Sequence, residues 1–151
     1  EGRNALNMNY MKIDNTYIIR IDRGEEIVKA VNDICREENI TLGSLSGLGA
    51  VDSAKLGLYS LEKREYIVNK FEGEYEITSL IGNITTKDGV PYIHMHMTIS
   101  DITGAVMGGH LSEARVAVTC EIVIRTAEGT IEREPDPVIG INMMVFPESS
   151  L

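Results

Sequence analysis

Residues Tyr75–Ser100, YEITSLIGNITTKDGVPYIHMHMTIS, decide how this chain is read. Two runs rich in apolar and β-branched residues, Tyr75–Thr86 and Val90–Ser100, flank Lys87-Asp88-Gly89. Asp-Gly between such runs is the strongest short-range signal for a β-hairpin. The second run alternates cleanly. Ile93, Met95, Met97 and Ile99 share one face, and His94, His96, Thr98 and Ser100 share the other. This is the pattern of an antiparallel strand with one face toward a core.

The same reading extends in both directions. Met8–Lys12 and Thr16–Asp22 read as two short strands, followed by a turn at Arg23-Gly24. Ile40–Val51, Ala54–Leu61, Arg64–Phe71 and Arg115–Thr126 read as further strands, with a turn at Glu62-Lys63. Thr130–Arg133 follows a turn at Glu128-Gly129, and Ile139–Phe146 is expected as a last strand among Pro135, Pro137 and Pro147. Only one segment has strong helical spacing. Asp22 and Glu25 form a capping box, and Ile27, Val31, Ile34 and Cys35 then recur on one face, with Glu38 breaking it. The helix is expected over Gly24–Glu38. One amphipathic helix on a mostly antiparallel sheet makes an α+β domain, and hairpin-linked strands of this kind can close, wholly or in part, into a barrel. A single domain is expected over residues 8–147, with 1–7 as an N-terminal extension or expression remnant.

The 151 residues suit one core, and 43% hydrophobic with 25% charged is ordinary globular composition. No apolar run approaches the length of a membrane span, and no signal peptide is expected at the start. The formal net charge is −9, with 14 basic residues scattered among 23 acidic ones. Phosphate-backbone binding depends on gathered Lys and Arg, and no local basic block is present. Cys35 and Cys120 are the only thiols and share no Cys-x-x-Cys spacing. They read as buried free thiols, which suits a reducing cytoplasm.

All three histidines fall within a short stretch: His94 and His96, then His110 at the end of Gly108-Gly109-His110. On one strand face, two residues apart, the Cα atoms of His94 and His96 stand about 6–7 Å from each other, within reach of a common ion. Gly108 and Gly109 permit a close backbone approach that returns His110 toward the pair. Three imidazoles fit zinc with one position left open. A polar strand face can equally be merely wet, and the residues alone leave both readings open. In the next strand Glu121 stands opposite an apolar set of Val116, Val118, Cys120, Ile122 and Ile124. It reads either as a surface acid, exposed or paired with Arg125, or as a fourth ligand, an orienting partner or a general base. The glycine-rich Gly43–Gly49 follows a helix and precedes a strand, the wrong setting for a nucleotide fingerprint, and no P-loop is present.

Five segments in order carry a resemblance: Leu45-Ser-Gly-Leu-Gly-Ala-Val51, Glu76-Ile-Thr-Ser-Leu-Ile-Gly-Asn83, His94-Met-His96, Gly108-Gly-His-Leu111 and Val116-Ala-Val-Thr-Cys-Glu-Ile-Val-Ile124. Together they resemble the plants-and-prokaryotes-conserved (PPC) domain in its stand-alone prokaryotic form. The resemblance implies an α+β homotrimer, a DNA-binding and regulatory role, and a metal, zinc above all, held by His94, His96 and His110. In plants the domain is joined to AT-hook segments that contact DNA, and this chain has no AT-hook. Two functions follow as expectations: a trimeric metal-binding module with a regulatory role, or a small zinc-dependent hydrolase or lyase with Glu121 as base.

Overall fold

The computed structural model describes residues 9–148, so the expected extension 1–7 lies outside the described residues. The elements run β1 (Asn9–Ile13), β2 (Thr16–Asp22), α1 (Ile27–Glu37), β3 (Gly43–Ser60), β4 (Glu65–Lys87), β5 (Val90–Ser100), β6 (Val106–Thr126), β7 (Arg133–Pro135) and β8 (Asn142–Met144). Six strands form one antiparallel sheet in the order β1-β2-β6-β3-β4-β5. β6 pairs with β5 as well as with β3, so the sheet closes in part into a ring. β7 and β8 form a separate small hairpin.

The Asp-Gly hairpin is as expected. Asp88 and Gly89 both take positive φ, 53° and 76°, which matches the right-handed twist of the strands they join. Met95, Met97 and Ile99 of β5 are buried, while the alternate residues line the outer face.

Several expectations need correction. The strands expected on either side of Asp52-Ser53 are one element, β3, and those on either side of Glu72–Glu74 are one element, β4. Register shifts between Gly47 and Gly49 and between Val51 and Ser53 bend β3 without ending it. At Gly49, with φ of 150°, a Cβ would lie 2.0 Å from the Thr119 carbonyl, so only glycine allows β3 and β6 to touch there. The bulge shifts β6 as well: Val118, expected on the apolar face, is 70% exposed. The helix begins at Ile27 rather than Gly24. Glu25 does accept the Asp22 amide at 2.7 Å, but the cap is Glu26, whose carboxylate accepts from Val28 and Lys29 and also from the Ala114 amide of β6. Last, Ile139–Phe146 contains only the short β8.

The core lies between the inner sheet face and α1, which packs against β5 and β6. Ile27, Ala30, Val31, Ile34 and Cys35 supply the buried side of α1, each large aliphatic side chain contributing about 1.5–3 kcal/mol. With the interior filled by apolar side chains, polar residues of β5 and β6 can only face outward, and this is what places the histidines.

Candidate metal centre

β5 and β6 bring the three histidines together. His96 lies directly across from His110 in the β5–β6 register, and His94 follows two residues along the same face. Close approach is built into the backbone. A Cβ at Gly109 would lie 2.5 Å from the Gly57 carbonyl, and one at Gly108 2.8 Å from that of Met97. Side chains at either position would push β6 off its neighbours and carry His110 away.

The Nε2 atoms of His94 and His96 are 3.1 Å apart, and one ligating nitrogen from each of the three rings lies within 4.8 Å of the others. Two nitrogens bound to one tetrahedral zinc at about 2.0–2.1 Å sit about 3.3 Å apart. His110 stacks on Tyr66 with centroids 4.6 Å apart, and Tyr66 packs edge-on against Tyr59. His110 Nδ1 is buried and finds no hydrogen-bond partner. Leaving such an atom unsatisfied costs about 1–3 kcal/mol, a cost that coordination to a cation removes. The donor set and the orphaned nitrogen therefore fit a transition metal.

The electrostatics agree. Burial, with the neighbouring His96, His110 and Arg133 charges adding to it, brings the His94 pKa down to about 4. Burial also lowers that of His110, with His96 contributing. Neutral imidazole is the form that binds metal. Cys35 and Cys120 are held out of thiolate chemistry, burial pushing each up to about 12. A transition-metal ion would be held by His94, His96 and His110, and it would supply Lewis acidity there.

A cavity of about 250 Å³ opens beside His94 and His96, completed by Ile81, Gly82 and Asn83. Asn83 lies across from His94 in the β4–β5 register. Behind it sits Arg133, only 7% exposed. Its Nη2 donates to Asn83 Oδ1 at 3.0 Å, its Nε to Thr85 Oγ1 at 2.8 Å, and its Nη1 to the Asn142 carbonyl at 3.0 Å. The guanidinium also lies over the Tyr92 ring at 5.1 Å. Sequence reading missed Asn83 and Arg133 as site residues. Asn83 closes one of the recognised segments, but nothing local marks Arg133, which reaches the site only because β7 folds back over β4.

Glu121 is not brought to the histidines. It lies across from Arg20 of β2 and Leu48 of β3, accepts from Thr119 Oγ1 at 3.4 Å, and lines a different, larger cavity with Tyr10, Met11, Ile18 and Leu48. No histidine lines that cavity. Within one chain, Glu121 is a surface acid facing Arg20 rather than the expected Arg125.

A small, partly ring-closed α+β domain with a three-imidazole cluster on its outer wall is the class that fold and site define. The profile of the Plants and Prokaryotes Conserved (PCC) domain matches residues 8–128, and the chain belongs to that family. Among solved structures it is similar to a "putative DNA-binding protein" from Bacteroides thetaiotaomicron, 33% identical over 92% of this chain and 97% of that one, TM-score 0.89. It is likewise similar to a metal-containing protein from Archaeoglobus fulgidus, 31% identical over 92% and 98% of the two chains, TM-score 0.82. The bifunctional protein GlmU of Synechococcus matches at 29% identity over 82% of this chain, and the chain spans 19% of that relative's length.

Proposed function

We propose that this chain is a transition-metal-binding PCC-domain protein that works as a homotrimer, with zinc as the fitting ion. The observation that carries the reading is the convergence of His94, His96 and His110, ligating nitrogens within 4.8 Å of one another. The metal-containing relative from Archaeoglobus fulgidus supports it. Support for assembly comes from the opposite part of the sheet. Met11, Ile13, Ile18 and Leu48 line one hollow and are all between 45% and 57% exposed in the single chain. A contiguous apolar face of this kind marks a protein contact, and a copy of the same chain is the occupant the family resemblance implies. Two buried unpaired thiols suit a cytoplasmic setting. Among the described residues no helix is long and apolar enough to cross a membrane.

The Bacteroides relative supports a DNA-associated role, and the family resemblance implies a regulatory one. With a net charge of −9 over these residues, DNA contact runs through a partner or through basic residues gathered by assembly. The open cavity at the histidines favours a second reading, a small zinc-dependent enzyme. Its general base is not Glu121 of the same chain.

Metal analysis of protein purified without a histidine tag tests the main reading. The expected result is about one equivalent of zinc per chain, with trimeric mass in sedimentation. Metal-free protein of full purity, with no uptake on adding zinc, defeats the metal-binding claim. Titration of labelled duplex at low salt tests the DNA role, since binding through phosphates must weaken steeply as salt rises.

A further inference from the structure

We infer that the cavity beside the three histidines is the seat of a small carboxylate, held between the metal and the Asn83 amide with the Arg133 guanidinium as its counter-charge. This inference rests on the metal-binding reading above and adds the class of ligand.

The argument begins with Arg133. Its side chain is almost wholly buried, and buried charges are as a rule paired. All its partners are neutral: a hydroxyl, a backbone carbonyl, an amide oxygen and a ring face. Among the described residues no carboxylate lies within ion-pair distance of it. The adjacent Glu132 is turned away, its carboxylate engaged by Thr86 Oγ1 at 2.6 Å and by the Asp88 amide. In a chain of net charge −9, a buried cation without a carboxylate is a conspicuous exception.

Arg133 also sets the orientation of Asn83. A guanidinium has donors only, so the amide oxygen of Asn83 must face it and Nδ2 must face the other way. Asn83 lines the cavity with His94 and His96, and no acceptor within the described residues takes up its Nδ2 hydrogens. The protein's polar wall is therefore an amide donor backed by a positive charge, with no acidic group on it. A cation on the histidines adds further positive charge. Such a site favours a ligand with at least two acceptor oxygens and a negative charge. The remaining lining, Ile81 and Gly82, offers apolar surface to a short hydrocarbon tail. A cavity of about 250 Å³ holds roughly eight water volumes, room enough for a small carboxylate.

Cobalt(II) in place of zinc provides a probe whose visible absorption responds to its ligands. In the full chain loaded with cobalt, propionate is expected to change that absorption saturably. Asn83→Leu, which removes the donor, and Asn83→Asp, which gives Arg133 an internal carboxylate, should each weaken propionate by about tenfold or more. Arg133 variants can fail to fold, so the Asn83 pair carries the test. A second readout needs no metal: metal-free Asn83→Asp should unfold at a higher temperature than the wild type, because the buried cation is then paired. Protein that takes up no cobalt defeats both the metal reading and this one. Protein that takes up one equivalent yet ignores propionate overturns this inference alone. A response to inorganic phosphate without one to propionate overturns the carboxylate assignment. Equal propionate affinity in wild type and Asn83→Asp, or no gain in thermal stability in that variant, overturns the role given to Asn83 and Arg133.

Discussion

The outer wall of the sheet carries two hollows of opposite character. Beside β5, a small one is lined by His94, His96 and Asn83, backed by a buried guanidinium and built on strands held close by Gly108 and Gly109. Beside β1 and β2, a larger one is lined by exposed aliphatic side chains, with Glu121 and Arg20 as its charged members. The first concentrates imidazole nitrogens and an amide whose Nδ2 is unclaimed. The second concentrates apolar surface that lacks cover. Unpartnered donors and acceptors call for a small ligand, whereas uncovered aliphatic area calls for another protein surface. The two hollows should therefore respond to different perturbations.

The largest separation is expected from His94→Ala/His96→Ala. Zinc content should fall from about one equivalent to none while the circular dichroism stays that of a folded sheet, since both rings lie outside the core. A variant that keeps its zinc breaks the distinction. Leu48→Asp is the converse experiment. Leu48 is 57% exposed and directly across from Glu121, so the new carboxylate is costly in an apolar contact and adds like-charge repulsion. Sedimentation should shift from trimer to monomer with zinc content per chain retained. A trimer that survives places the assembly surface elsewhere.

Smaller effects sharpen the picture. Gly109→Ala forces a methyl group against the Gly57 carbonyl, and overpacking of this kind costs about 1–3 kcal/mol. Because His110 follows directly, zinc affinity should fall together with the melting temperature. Acidification tests the electrostatics of His94 in metal-free protein. Its folded pKa of about 4 lies below the unfolded value near 6.5, so the unfolded chain takes up the proton first. Stability should be full above pH 6.5 and decline as the pH falls toward 4, by about 1–2 kcal/mol once the ring's contact with solvent is discounted. Calorimetric melting points across that window check the slope, which His94→Ala should flatten. Glu121→Gln should do least, leaving zinc content unchanged. Loss of metal in that variant would bring Glu121 back into the site.

How much of this was legible in the sequence varies by element. The Asp88-Gly89 hairpin and the two faces of β5 could be read residue by residue, because a two-residue turn and a period of two are local properties. The convergence of His110 on His94 and His96 was legible for a related reason: paired glycines permit close approach, and the approach occurs at those glycines. The helix start was misplaced because Glu26 is fixed partly by the Ala114 amide, a contact across 88 residues. Val118 was assigned to the wrong face because a bulge breaks the alternation of β6, and bulges depend on the pairing strand as well as on the bulged one. Arg133 was out of reach altogether. Its meaning lies in Thr85, Asn83 and Tyr92, which only the folded chain places around it.

The strand that completes the ring also delivers His110. β6 pairs with β5 along one stretch and with β3 along another, so the seam between β5 and β6 is where an open sheet becomes a closed one. An ion held by the three histidines would be gripped from both sides of that seam and would act as a clasp. It would add little to the core, yet the ring could not reopen at β5 without first releasing it. Chelators should therefore speed unfolding far more than they disturb the resting architecture.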